Sequence, residues 1–155
     1  MDAIITRLDG ASKAVVLGAG FIGLEIAENL RHRGIAVTVV QSGPQIFTPL
    51  DPEFAWLLQA RMAANDVKVL LNRQATEVTD THVMLNDDTQ LEANLVISAI
   101  GVRPDSALAE GLDTLPNGAI IVDDQLRTSD PNIWAVGDAV AKATDNGLAM
   151  VPLAG

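Results

Sequence analysis

The chain contains no cysteine and no tyrosine. The first absence excludes a disulfide, a thiolate nucleophile and a zinc-thiolate site within this chain. The second removes the tyrosine–lysine acid of short-chain dehydrogenases. Histidine is nearly absent too: His32 lies between two arginines and His82 opens a short β run. A metal site needs several converging ligands, so both histidines read as surface residues and no metal is expected. Aromatic residues make up only 3%, and 10 Lys and Arg stand against 20 Asp and Glu, for a net charge of −10. Residues 1–50 are balanced, with Asp2, Asp9, Glu25 and Glu28 against Arg7, Lys13, Arg31 and Arg33, so the whole excess lies in residues 51–155. No basic stripe is left to neutralise phosphates, which excludes nucleic acid as a partner. No apolar run approaches the roughly 18 residues that span a bilayer. The N-terminus lacks the basic-then-apolar pattern of a secretory signal. These absences lead to an expectation of a cytoplasmic protein without a membrane partner.

What is present suits a folded α/β protein. With 155 residues, 48% hydrophobic and 19% charged, the chain can form one domain with a proper core, or one domain and part of another. Residues 14–17 (AVVL) form a short continuous apolar run, the pattern of a strand buried on both faces. After a glycine-rich turn, Ile22, Ile26 and Leu30 recur at helical spacing. Gly23 and Ala27 lie on an adjoining face, where small residues let a helix approach a sheet. Gly34 is a suitable helix stop, and residues 36–40 (AVTVV) read as a second strand. Strand, helix and strand in about 28 residues make a βαβ unit with parallel strands. Asp51-Pro52-Glu53 then predicts a helix start. Phe54, Leu57, Leu58, Arg61 and Met62 supply its expected inner stripe, and Val67–Leu71 reads as a third parallel strand. Beyond it come short β runs alone, Glu77–Val78, His82–Leu85, Leu91–Glu92 and Leu95–Ile100, with a turn at Asn86-Asp87-Asp88-Thr89. Ser106–Glu110 suggests one helical turn, and Ala119–Val122 and Ile133–Val136 two more strands. The Gly- and Ala-rich end, Asn146 to Gly155, leads to the expectation of a piece cut from something longer.

Four places carry chemistry. Gly18-Ala19-Gly20-Phe21-Ile22-Gly23 joins strand to helix. There Gly18 permits a tight turn, Gly20 lets backbone amides approach a pyrophosphate, and Gly23 lets the helix pack closely. The helix N-terminus adds unpaired N–H groups and the positive end of its dipole. Gln41 closes the second strand, where an acid would accept hydrogen bonds from the adenosine ribose hydroxyls. A neutral Gln in the run Gln41-Ser42-Gly43-Pro44, with no basic residue, favours NADH while rejecting a 2′-phosphate only weakly. Glu25, two positions after the last glycine, either complements the helix dipole or faces the nicotinamide end of the cofactor. In the stretch Thr128 to Asp138, an apolar run into Gly137-Asp138 is expected to set a carboxylate at the end of a strand, where it can bond a polyol hydroxyl.

VVLGAGFIGLEIAENL, ISAIGVRPDS, TSDPNIWAVGDAV and VPLAG, in this order over nearly the whole chain, resemble the FAD-dependent pyridine nucleotide-disulfide oxidoreductases. The likeness is greatest to the branch with CoA-disulfide reductase, NADH oxidase and NADH peroxidase. The resemblance implies a three-layer Rossmann-like FAD/NAD(P)-binding fold, with a central parallel sheet, helices on one face and an antiparallel β-meander on the other. It implies an NAD-binding domain over 13–103, preceded by a lead-in at 1–12. Residues 104–155 would be a connector and part of the returning FAD-binding domain. By the same resemblance Gly18, Gly20, Phe21, Ile22 and Gly23 hold the pyrophosphate, Glu25 lies near the nicotinamide and Gln41 at the ribose. Ile100 and Gly101 line the dinucleotide, and Phe47 either covers the adenine or plugs the core. Gly137 and Asp138 would meet the ribitol of FAD, with Leu153 and Ala154 close to the flavin. No residue of the chain is assigned a catalytic role.

The family's FAD glycine motif and redox cysteine are absent from this chain and are expected upstream of Met1. The FAD-binding and dimerisation domains are therefore expected partners, and the chain alone is expected to be inactive. The function expected is an NADH-binding domain that positions NADH for hydride transfer to FAD. The flavin would then reduce a disulfide, a thiol-linked substrate, oxygen or peroxide. An NADH-dependent ferredoxin- or rubredoxin-type reductase and a non-catalytic NAD-binding module are the alternatives.

Overall fold

The computed structural model describes residues 2–144 and 147–150. The elements run α1 (Asp2–Leu8), β1 (Lys13–Leu17), α2 (Phe21–His32), β2 (Ala36–Val40), α3 (Pro52–Ala64) and β3 (Val67–Leu70). They continue with β4 (Ala75–Val78), β5 (His82–Leu85), β6 (Gln90–Glu92), β7 (Leu95–Ser98), a 3₁₀ turn at Ala107–Ala109, β8 (Ile120–Val122), β9 (Val140–Thr144) and β10 (Gly147–Met150). The chain divides into two compact units, Met1–Gly101 and Val102–Gly155.

The first unit has three layers because its central strands bury both faces. Four strands lie in the order β3-β2-β1-β7, all parallel, with Val16 opposite Val39 and Ile97, and Val39 opposite Val69. Successive side chains of a strand point to opposite faces, so β1 divides its residues between two cores. Ala14 and Val16 join Val37, Val39, Ala27, Leu30, Met62 and Val67 on the helical side. Val15 and Leu17 join Val40, Val83, Leu85 and Ala93 on the other. There β4, β5 and β6 form the antiparallel meander, with Val83 and Leu85 fully buried. The fold is thus the expected three-layer Rossmann-like α/β architecture, with helices and meander on opposite faces of a parallel sheet.

Two helices supply the other layer, each rotated from the most obvious reading of its sequence. In α2 the buried face is Gly23, Ala27 and Leu30, whereas Ile22 is exposed and Ile26 half-buried. The small residues win the inner face because they allow the closer approach. In α3 the buried residues are Ala55 and Met62, with Leu58 packed beside them, whereas Phe54, Trp56 and Leu57 are exposed. Of the expected stripe of Phe54, Leu57, Leu58, Arg61 and Met62, only Leu58 and Met62 turn inward, and the rest is corrected. Within FAWLL every side is apolar, and again the small residue, Ala55, is the buried one, while Glu53 and Arg61 lie exposed.

The helix ends follow ordinary physics with one difference. Gly34 takes φ +80°, its N–H donates to the Arg31 carbonyl at 2.8 Å, and Ile35 N–H donates to Leu30 at 3.1 Å. This is the Schellman arrangement, which glycine favours. Arg31 ties the two helix ends together, donating to the carbonyls of Ile35 and Asn65 at 3.1 Å each and to Asp66 at 3.3 Å. Asp51 occupies the N-cap position of α3, with Pro52 following, but its carboxylate makes no capping hydrogen bond.

In the second unit β8 pairs parallel with β9, and β9 antiparallel with β10. Ala119, Val122, Val140 and Ala141 are buried. Ile133–Val136 does not form the expected strand: Trp134 makes a single bridge to Arg127. Turn chemistry prevails there. The Asp130 carboxylate accepts the Asn132 N–H at 2.9 Å, the Thr128 hydroxyl donates to the Ile133 carbonyl at 3.1 Å, and Leu126 sits at φ +63°. Side chains of Asp and Thr offering such bonds fix the turn before the segment, and its pairing goes no further than this bridge.

Ile46, from the loop after β2, is fully buried in the helical-side core. Ile46→Ala is expected to lower the unfolding free energy by about 2–5 kcal/mol, the usual cost of such a core truncation. Leu57→Ala, on the exposed face of α3, should change it by less than about 0.5 kcal/mol. Chemical denaturation followed by far-UV circular dichroism measures both.

Candidate functional site

The site is built where β1, β2 and β7 end together at the start of α2. Three glycines stand there for three different reasons. Gly18 turns the chain off β1 with φ +99°, and a Cβ on it would lie 2.3 Å from the Ala99 carbonyl oxygen. Gly23 sits in the first turn of α2, where a Cβ would lie 2.0 Å from the Gly18 carbonyl oxygen. Both are required by the chain itself, because the obstructing atoms are backbone. Gly20 is different: its φ is −78°, open to any residue, and a Cβ there would meet nothing within 4 Å. Among the described residues it is the one glycine with neither a positive φ nor a close neighbour.

The turn is held from outside by the loop that follows β2. Ala19 N–H donates to the Gln41 Oε1 at 3.0 Å, and the Ala19 carbonyl accepts the Phe47 N–H at 2.8 Å. Gly18 N–H donates to the Val40 carbonyl at 2.8 Å, and Ala99 N–H to Leu17 at 2.7 Å. Gln41, Phe47 and the Ala99–Ile100 peptide thus converge on the glycine turn. Phe47 takes φ +43°, a conformation uncommon for a bulky residue. The core position of this loop belongs to its neighbour Ile46, while Phe47 is half-buried with its ring 6.5 Å from that of Phe21.

At the head of α2 the first intrahelical bond runs from Leu24 N–H to the Gly20 carbonyl at 3.0 Å, and no side chain caps the helix. The amides of Phe21, Ile22 and Gly23 therefore lack intrahelical acceptors, as the first amides of any helix do. Phe21 and Ile22 are exposed, as is Ile100, which follows β7. Gly101 takes φ +112°. A groove of about 710 Å³ runs between α2 and α3, with Phe21, Leu24, Glu25 and Phe47 among its lining residues. Glu25 is exposed along it, and its carbonyl accepts the Asn29 side-chain amide at 2.8 Å.

Of the expected site residues, Gly18, Gly20, Phe21, Ile22, Gly23, Gln41, Phe47 and Ile100 gather around this turn. Gly137 and Asp138 belong to the second unit. Gly137 has φ +90° and Asp138 is exposed, but both precede β9 instead of ending a strand, so the expected placement is corrected. The strand that was to deliver them is the Ile133–Val136 segment, which makes only a single bridge. Leu153 and Ala154 lie outside the described residues.

Arg73, which sequence reasoning passed over, stands at this end of the sheet as well. Its N–H donates to the Gln41 carbonyl at 3.0 Å. Its guanidinium pairs with Asp87 at 2.5 Å and donates to the Asn72 carbonyl at 3.1 Å. Asp87 is held below the usual carboxylate range, first by the Thr89 side chain, then by the Thr89 N–H and by Arg73. A signal was available, since Arg73 comes three positions after the end of β3, a strand parallel to the one that Gln41 closes. Among the described residues no group of His, Cys, Asp or Glu is placed to hold a metal. No helix among them is long and apolar enough to cross a membrane.

A parallel sheet between helices and a meander, with a glycine turn at the mouth of its central strand, is a Rossmann-like arrangement. The family model of pyridine nucleotide-disulphide oxidoreductases matches residues 2–154, and the chain belongs to that family. It is a family of FAD-dependent NAD(P)H oxidoreductases. The chain is 36% identical over 137 residues to the NADH oxidase of Methanocaldococcus jannaschii, an alignment covering 85% of this chain and 31% of that protein. It is 36% identical to the rubredoxin-NAD(+) reductase of Pseudomonas putida, covering 85% of this chain and 36% of the other. Among solved structures, the NAD-dependent persulfide reductase of A. fulgidus superposes with a TM-score of 0.92 at 34% identity, over 98% of this chain and 30% of that one. The chain therefore spans about a third of the length of these relatives.

The two backbone-facing glycines make a structural prediction. Gly23→Ala places a methyl against the Gly18 carbonyl, so α2 must move off β1; thermal unfolding should fall by several degrees, in line with a cost of about 1–3 kcal/mol for overpacking. Gly20→Ala, in open space, should leave the midpoint within about two degrees. Differential scanning calorimetry of the two variants tests the distinction.

Proposed function

We propose that the first unit binds NADH and orients it for hydride transfer to the flavin of a complete FAD-dependent oxidoreductase. The observation that carries this reading is Gly20. The fold itself does not need glycine there, since its backbone conformation is ordinary and a Cβ would meet nothing. A side chain is excluded for the sake of something that lies against the turn. What lies there is read from the donors around it: the amides of Phe21, Ile22 and Gly23 and the dipole of a 12-residue helix, uncapped by any side chain. Such a set suits the pyrophosphate of a dinucleotide. NAD in the names of the three relatives above points to the same cofactor.

Each residue then has a task. Gly18 and Gly23 bring α2 onto β1, so that the helix amides face the pyrophosphate. Phe21 and Ile22 keep water from it on the exposed side. Gln41 serves the adenosine ribose, with Phe47 and its partner ring Phe21 toward the adenine. Glu25, Ile100 and Gly101 flank the nicotinamide half. When bound, NADH supplies the hydride, and the protein supplies orientation and exclusion of water. In the second unit Gly137, Asp138, Leu153 and Ala154 are proposed to contribute to the FAD site. The rest of that site, the redox centre and the dimerisation domain belong to the remainder of the full-length protein, and the chain alone would not turn over. Residues 13–103 form the NAD-binding domain in this proposal, and 104–155 the connector and returning flavin-domain segment. Reduction of a ferredoxin- or rubredoxin-type carrier is the second reading of the whole enzyme, favoured by the rubredoxin-NAD(+) reductase of Pseudomonas putida among the relatives.

Isothermal titration of the 155-residue chain should show NADH binding. Gly20→Ala should weaken it at least about tenfold, or about 1.4 kcal/mol, without loss of fold. A chain that binds neither NADH nor NADPH, or a Gly20→Ala variant that binds NADH as tightly as the parent, would sink the proposal.

A further inference from the structure

Residues 72–74 join the loop after β2 to the hairpin tip of the meander, and Arg73 faces both. Toward the loop, Asn72 N–H donates to the Gly43 carbonyl and Arg73 N–H to the Gln41 carbonyl, at 3.0 Å each. Toward the hairpin, the Arg73 guanidinium pairs with Asp87 at 2.5 Å. Beside that pair, Asn86 N–H donates to the Gln74 carbonyl at 2.9 Å, and Asn86 Oδ1 accepts the Gln74 N–H at 3.1 Å. Asp87 also closes the tip, its Oδ1 accepting the Thr89 N–H at 3.2 Å. Exposed ion pairs contribute little, but this one is partly enclosed, with its side chains 39% and 33% exposed. Among the ion pairs of the described residues, it is the one in which both partners are more than half covered. Asn72 at φ +53° and Asp88 at φ +63° hold left-handed backbones on either side of it. Non-glycine residues keep such conformations where their surroundings over-determine them.

We propose that Arg73 is a positioning residue: through its pair with Asp87 it ties the hairpin tip, Asn86–Thr89, to the loop of the dinucleotide site, so that tip and site order each other. This rests on the NADH-binding reading given above. Ile46 holds the loop from within the core. The carbonyls of Gln41 and Gly43 are held from outside, by residues that the hairpin holds in turn. From there the bonds continue to the glycine turn, where Gln41 and Phe47 grip the Ala19 peptide. A loop fixed at both places costs less to order around a ligand. Coupling of this kind is reciprocal: a tip that favours the bound nucleotide must itself be steadied by that nucleotide to the same degree. Neither Arg73 nor Asp87 has to touch the nucleotide for this to hold.

Hydrogen exchange followed by NMR reads the first consequence on the unaltered chain. The amides of Asn72, Arg73, Asn86 and Asp88 donate to Gly43, Gln41, Gln74 and Leu85, and saturating NADH should slow their exchange about threefold or more. NADH that slows exchange at Ala19 and Phe47 but leaves Asn86 and Asp88 unchanged would overturn the coupling. Titration calorimetry reads the second consequence. Arg73→Asp and Asp87→Arg should each weaken NADH binding about threefold or more, and the double variant should regain most of that loss, since it restores opposite charges. Asp87→Arg also loses the Thr89 bond, so the regain is judged against that single variant. A role confined to stability would lower the thermal midpoint and leave the NADH affinity of the folded variants at the parent's value. That result, or a double variant that binds no better than Asp87→Arg, would overturn the role of Arg73. Failure of the wider reading is told apart, because then the parent itself binds no NADH.

Discussion

The close approach of α2 to β1 is the constraint on which the first unit depends. A methyl at Gly23 would come within 2.0 Å of the Gly18 carbonyl oxygen, so the helix touches the turn through backbone alone. That contact sets the depth at which Ala27 and Leu30 meet Ala14, Val16 and Val37. It also fixes where the first amides of α2 point. Packing and the aim of those amides are thus one geometric fact, and a change that relieves the first shifts the second.

The loop after β2 extends that constraint. Ile46 anchors it in the core, Phe47 takes a left-handed conformation beside it, and the Ala19 peptide is held from both of its ends. A backbone kept in a sparsely populated region needs surroundings that over-determine it. Here they are a fully buried side chain on one side and two hydrogen bonds to the glycine turn on the other. The turn is thus fixed by the protein's own contacts.

Much of this arrangement was legible in the sequence, and the exceptions have physical causes. AVVL, the glycine turn and AVTVV announced a parallel pair and a dinucleotide fingerprint, because apolar runs and glycine spacing are local signals. Gly34 stopped its helix as expected. The rotation of α3 was not legible, since FAWLL is apolar on every side and Ala55 wins the inner face only through its small size. Ile133–Val136 read as a strand because its residues are apolar, but it makes only one bridge, with bonds from Thr128 and Asp130 fixing the turn before it. The tie between Gln41 and Ala19 spans 22 positions and exists only once the loop has folded back. The same holds for Arg73, brought beside Gln41 by strand pairing and not by any motif.

The exposed tryptophans give the molecule a natural optical readout. There are two in the chain, Trp56 on the outer face of α3 and Trp134 in the turn-rich stretch before β9, one in each unit. Trp56 is 67% exposed and Trp134 58%. Indoles so placed emit as solvated rings, and their emission changes little when the cores melt. Anything that comes to cover either surface shifts that ring's emission to the blue. With one ring replaced by phenylalanine, the remaining one reports on its own unit alone.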